Sequence, residues 1–230
     1  MKKMDGRVVL ITGAKGGLGS FVTERFLEEG ATVVGTSRSI KQSNFSSPKF
    51  TAMPVDFSNG AAVSELADQI VERFGKIDVL AHVLGGFAGG QSVAETDDKT
   101  WERMRDQNLT SAFHILRAVV PYMRKAKYGR IVAVGSLAAV EPHAGLGAYV
   151  VSKTALVALV RTLALENADS NITANVVLPG TMDTPANRAA MPKADFTKWV
   201  QPSEVAKLIL TLASEESAQI SNTLVPIEGR

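Results

Sequence analysis

Four side chains of types that can move a proton stand in the second half of the chain. The segment YVVSK places Tyr149 and Lys153 four residues apart, and on a helix that spacing puts them on one face. An ammonium beside a phenol favours the phenolate, so the pairing predicts a tyrosine whose pKa falls from about 10 towards the working range. Such a tyrosine donates a proton to a substrate oxygen as hydride reaches the carbon, or accepts one in reverse. Ser136 ends an apolar run and offers a hydroxyl to the same oxygen. Asn108, in QNLTSAF, is polar within a largely apolar helical stretch, where it can hold a water and pass protons on from the lysine.

A second group of residues is suited to binding a dinucleotide. TGAKGGLG (12–19) follows the apolar run RVVLI and opens a helical pattern. Gly13, Gly17 and Gly19 let the backbone turn tightly, and Lys15 and Leu18 share the loop, so a pyrophosphate can meet free amides at the helix N-terminus. The next strand ends in VVGTSRS, with Ser37 and Arg38 where an NAD site usually places a carboxylate. Arginine's planar fork suits a 2′-phosphate, and Lys15 adds a second cation, so NADPH is expected over NADH. Asp56, followed by Phe57 in VDF, is a candidate partner for the adenine amino group.

The elements that must position these groups alternate regularly. Apolar runs at 7–13, 31–37, 49–57, 77–85, 129–136, 171–180 and 223–229 are separated by helical patterns near 17–29, 60–74, 97–126, 146–168 and 202–214. Strands apolar on both faces imply a mostly parallel, seven-stranded, doubly wound α/β sheet with helices on both faces, a Rossmann fold in one domain over residues 1–230. Ligands bind such sheets beyond the carboxyl ends of the strands, where every motif above falls. The segment 181–201 carries Pro185 and Pro192 and is read as an irregular lid, mobile without cofactor and ordered with it.

Composition narrows the function classes. The 230 residues are 45% hydrophobic and contain no cysteine, which excludes a disulfide framework and thiol-ligated metal and fits the cytoplasm. A net charge of +2 does not argue for nucleic acid. The basic cluster Arg124, Lys125, Lys127 and Arg130 is read as closing a helix C-terminus. No signal peptide and no stretch of about 18 apolar residues is read from the sequence, so no membrane span is expected.

Taken together, the glycine loop and the set Asn108, Ser136, Tyr149 and Lys153 resemble the short-chain dehydrogenase/reductase family along essentially the whole chain. The resemblance implies hydride transfer between a nicotinamide and a small-molecule carbonyl or related group. It also implies that Lys153 binds the nicotinamide ribose, and that Pro179, Gly180 and Thr184 of LPGTMDT (178–184) contact the carboxamide. Assembly as a homodimer or homotetramer through the helices near 97–126 and 146–168 is implied as well.

Where most of that family has Asn-Asn-Ala-Gly, this chain has His82-Val83-Leu84-Gly85, so Gly85 alone keeps the family's floor under the cofactor. His82 is read as a hydrogen-bonded core residue rather than a ligand or base. HVLGGFAGG (82–90), the segment 181–199 and the IEGR end resemble the dihydropteridine reductase branch, which reduces quinonoid dihydropterins. Phe87 and Trp199 are the candidate walls for such a planar heterocycle, or else anchors of their loops. Ser136 and Arg38 depart from that branch, which lacks the serine and uses NADH. A cofactor-binding regulatory protein without turnover is the reading from another class, and the complete four-residue set argues against it.

Overall fold

The structure is a computed structural model that describes residues 2–229; Arg230, in the IEGR end, lies outside the described residues. Seven strands form one sheet: β1 (Val8–Thr12), β2 (Thr32–Thr36), β3 (Phe50–Ala52), β4 (Val79–His82), β5 (Gly129–Val134), β6 (Ile172–Pro179) and β7 (Leu224–Ile227). Their spatial order is β3-β2-β1-β4-β5-β6-β7. Every neighbouring pair is parallel. The order reverses between β1 and β4, where Thr12 lies opposite His82, and this is where a doubly wound sheet opens a ligand crevice.

Both faces of the sheet are covered because the strands are apolar on both sides. One face packs under α2 (Gly60–Phe74), α4 (Ser111–Ala126) and α5 (Gly147–Glu166) through residues such as Leu80, Ile115 and Leu156. The other packs under α1 (Gly19–Glu28) and α7 (Pro202–Ala213) through Val9, Phe26 and Ile209. Asn59 caps α2 by accepting from the amides of Ala61 and Ala62, and Gly75 ends it in the left-handed conformation.

Three expectations are corrected here. The strand expected at 49–57 stops at Ala52, before Pro54, a residue with no amide to extend the ladder. The helix expected over 97–126 is α3 (Asp98–Arg105), a π-helical turn at Asp106–Thr110, then α4. The segment 181–201, expected to lack helix, holds α6 (Pro185–Ala190), because Pro185 occupies the first turn, where its missing amide has no helical partner to lose.

By length and composition alone, α5 is the one helix among the described residues apolar enough to cross a membrane. Its buried face (Lys153, Leu156, Val160, Leu163) instead packs against the sheet.

Candidate active site

The strands' carboxyl ends open into one large cleft of about 1580 Å³. The glycine loop forms one wall. Gly13 has a φ of +68°, which a side chain tolerates poorly, and a Cβ on it would lie 3.1 Å from the Leu84 backbone. A Cβ on Gly19 would lie 2.0 Å from the Gly13 carbonyl oxygen. Among the described residues no side chain caps the N-terminus of α1, which leaves that end of the helix dipole open to an anion. Lys15, Gly17 and Leu18 line the same wall.

Ser37, Arg38, Asp56 and Phe57 line the next part of the cleft. The Ser37 hydroxyl is buried without a partner among the described residues. Lys15 donates to the Ser39 carbonyl at 3.0 Å, which holds its ammonium on the Arg38 side. Asp56 accepts from the amide and hydroxyl of Ser58 at 3.0 and 2.9 Å. These bonds, chiefly, and the nearby Arg38 cation hold its carboxyl below the usual carboxylate range. One oxygen that was expected for adenine is thus already engaged. A glycine turn at a helix N-terminus, a hydroxyl without a partner among the described residues and two cations together fit a nicotinamide dinucleotide.

Ser136, Tyr149 and Lys153 open onto the same cleft. Ser136 stands just beyond β5 and caps a short turn by accepting from the Ala138 amide at 3.2 Å. Tyr149 and Lys153 lie one turn apart on α5. Their electrostatics correct the sequence expectation. The Lys153 ammonium donates to the Val134 carbonyl at 2.9 Å, and burial pulls its pKa down to about 8. Burial pushes the Tyr149 phenol up, with the Ser136 hydroxyl acting the other way. Desolvation outweighs the expected ammonium effect, so the phenol is held protonated.

Asn108 does not line the cleft. It is fully buried within the π-helical turn. Its carbonyl oxygen accepts from the Gly86 amide at 2.8 Å. Its amide donates to the Gly86 carbonyl at 3.1 Å and to Ser152 Oγ at 3.0 Å. With its amide protons used in this way, the side chain ties the loop after β4 to α5. Gly85 sits where a Cβ would be 2.8 Å from Asn108 Oδ1 and 3.0 Å from Lys153 Nζ. Pro179 and Gly180 line the cleft. The Thr184 hydroxyl, expected on the carboxamide, caps α6 by accepting from the Asn187 amide at 3.2 Å.

Sequence reasoning missed Thr12 and Ser152. Thr12 Oγ1 accepts from the amides of both Val83 and Leu84 at 3.1 Å and so holds the floor of the cleft. The available signal was a lone hydroxyl in an otherwise apolar strand. Phe87 is 65% exposed, and its ring meets that of Tyr149 edge to face at 5.0 Å. Trp199 lines the cleft and packs on Phe196 at 4.7 Å.

A family profile described as short chain dehydrogenase matches residues 7–195. The chain is a short-chain dehydrogenase/reductase. It is 30% identical to the 3-oxoacyl-[acyl-carrier-protein] reductase FabG of Thermotoga maritima, over 99% of this chain and 98% of that protein. It is 31% identical to a 3beta-hydroxysteroid dehydrogenase of Mediterraneibacter gnavus, over 100% of this chain and 96% of the other. Among solved structures, ElxO with NADP bound superposes with a TM-score of 0.90 at 26% identity, covering 96% of each chain. This short-chain dehydrogenase/reductase is therefore an enzyme, an oxidoreductase with the nicotinamide-dinucleotide fold of its family. The local likeness to dihydropteridine reductases finds no counterpart among these relatives.

Proposed function

We propose that the chain catalyses NADPH-dependent reduction of a small-molecule carbonyl, with Tyr149 as the proton donor. The observation that carries this is the opening of Ser136, Tyr149 and Lys153 onto the cleft that the glycine loop also lines. The bound nicotinamide supplies the hydride. Tyr149, held protonated by burial, gives its proton to the carbonyl oxygen, which the Ser136 hydroxyl also holds. Lys153 stands one turn away as the cation that steadies the phenolate left behind and can hold the nicotinamide ribose. Asn108, Gly85 and Thr12 fix the floor on which these groups rest. The relatives named 3-oxoacyl reductase and hydroxysteroid dehydrogenase support a ketone as the reacting group.

Lys15 in the glycine loop and Arg38 just beyond β2, which line the same cleft, support NADP over NAD, and the NADP-bound neighbour agrees. Exposed Trp101 and Phe113 on α3 and α4, with Val151 and Leu165 on α5, support assembly of identical chains through these helices. The cytoplasm suits a chain without cysteine.

A second reading, reduction of a planar heterocycle such as a quinonoid dihydropterin, is favoured by the exposed Phe87 ring against Tyr149. Following NADPH oxidation with ketones, 3-oxoacyl thioesters and quinonoid dihydropterin separates the two. Turnover of ketones or thioesters alone supports the first reading, and turnover of the pterin alone the second. Turnover of none leaves neither standing.

A further inference from the structure

His82 is a buried titratable group that the proposed chemistry does not use. It is 1% exposed at the end of β4, and its Nδ1 lies 3.0 Å from Thr12 Oγ1. The Thr12 hydroxyl already accepts two amide protons, from Val83 and Leu84. A hydroxyl has two lone pairs and one proton. With both lone pairs occupied, that proton can go only to Nδ1, so Nδ1 is the acceptor and the ring proton sits on Nε2.

We propose that His82 is a positioning residue for the cofactor floor: a neutral imidazole, fixed as the Nε2–H tautomer, that orients the Thr12 hydroxyl so that both lone pairs hold residues 83 and 84. The inference rests on the cofactor reading of the cleft, but its core, the tautomer, is independent of it. The floor held in this way is the backbone that Gly13 approaches, and it leads directly to Gly85, beside Lys153. A histidine that accepted a second proton would lose the Nδ1 lone pair, force the hydroxyl to rotate and free one of the two amides. Burial and the charge of Lys153 both oppose that proton and pull the imidazole pKa down to about 3, so the lock holds through the neutral range. Nε2 is buried and meets no acceptor among the described residues, so the ring is held from its Nδ1 side.

The tautomer is read directly from the imidazole nitrogen shifts of nitrogen-labelled, cofactor-free protein. His114 Nδ1 faces the Phe57 carbonyl at 2.8 Å, and a carbonyl can only accept, so this ring is an internal reference for the opposite tautomer. With signals assigned through His114→Gln and His143→Asn, His82 should show Nε2–H and no titration from roughly pH 5 to 8. An Nδ1–H signal, or protonation in that range, overturns the proposal whatever the enzyme reduces.

The functional part is tested by cofactor titration. His82→Phe keeps an aromatic ring at the position but removes the acceptor and should raise the dissociation constants for NADPH and NADH alike by roughly tenfold. His82→Asn returns an acceptor to the position nearest the backbone and should restore binding to within about threefold. A His82→Phe protein that melts earlier yet binds as the wild type assigns the histidine to stability alone and overturns the positioning role. Failure of His82→Asn to restore binding does the same.

Discussion

Lys153 donates to the carbonyl of Val134 and stands one helical turn from Tyr149, so its charge is anchored by the end of β5 rather than by the phenol. An ammonium buried with one protein acceptor is poorly solvated, and its pKa falls from 10.5 to about 8. Because the folded value lies below the unfolded one, the lysine's contribution is most favourable above about pH 10.5, declines as pH falls towards 8 and is constant below that. Lys153→Met should therefore be more stable than the wild type at pH 7, and the wild type should recover on the order of 3 kcal/mol relative to it between pH 8 and 10.5. Denaturant melts of both proteins across that range measure the difference. A gap that does not change with pH would mean that the lysine is not buried as a cation. The same variant should lose most of its turnover.

Tyr149 is expected to act by giving up a proton, not by filling space. Tyr149→Phe keeps the ring that Phe87 meets edge to face and removes only the hydroxyl. Turnover should fall by at least about a hundredfold with cofactor affinity nearly unchanged. A mild loss in steady-state kinetics would take the tyrosine out of the proton-donor role.

The parallel sheet was legible because its strands are apolar on both faces, and the cleft because Gly13, Ser136 and Tyr149 fall near strand carboxyl ends. What stayed hidden depends on backbone partners. The acceptor for Lys153 is a main-chain carbonyl, and Asn108 spends its side chain on Gly86, neither of which leaves a mark in residue types. The π-helical turn at Asp106–Thr110 has no composition signal of its own. Pro185 was read as a breaker because its spacing from the first helical turn cannot be known until the turn is placed. The tyrosine shift was misjudged because desolvation depends on what packs around the phenol, and four-residue spacing carries no information on that.

Gly85 tests how closely the floor must fit. Its φ is not in the left-handed region, so alanine is allowed by the backbone, but the added methyl would meet Asn108 Oδ1 at 2.8 Å and Lys153 Nζ at 3.0 Å. Both are side-chain ends that can yield, and yielding displaces the groups the reaction needs. Gly85→Ala should melt close to the wild type while turnover drops by between about tenfold and a hundredfold. Wild-type turnover would show that the site tolerates a looser floor.

The lid has a built-in fastening. Arg188 pairs with both oxygens of Asp183 and covers the Phe196 ring at 4.7 Å, and Phe196 packs on Trp199. Exposed ion pairs contribute little by themselves, so this fastening should hold only with a filled cleft beneath it. Amide hydrogen exchange over 181–201 should slow on adding NADPH, and Arg188→Ala should blunt that slowing and raise the KM for substrate more than it lowers kcat. Exchange equally slow with and without cofactor would show a fixed wall instead of a lid.

Cofactor preference turns on the end of β2. Arg38 is exposed, lies near enough to lower the Asp56 pKa, and shares its side of the cleft with Lys15. A 2′-phosphate can take charge-assisted bonds from both cations, each worth about 1.5–3 kcal/mol. Arg38→Asp removes one cation and places a carboxylate where ribose hydroxyls can donate to it. The ratio of kcat/KM for NADPH to that for NADH should fall by at least about tenfold, through a higher KM for NADPH and a lower one for NADH. Lys15→Ala should weaken NADPH without improving NADH, because it adds no acceptor. If Arg38→Asp leaves the ratio where it was, the guanidinium faces solvent and the phosphate reading of this corner is wrong.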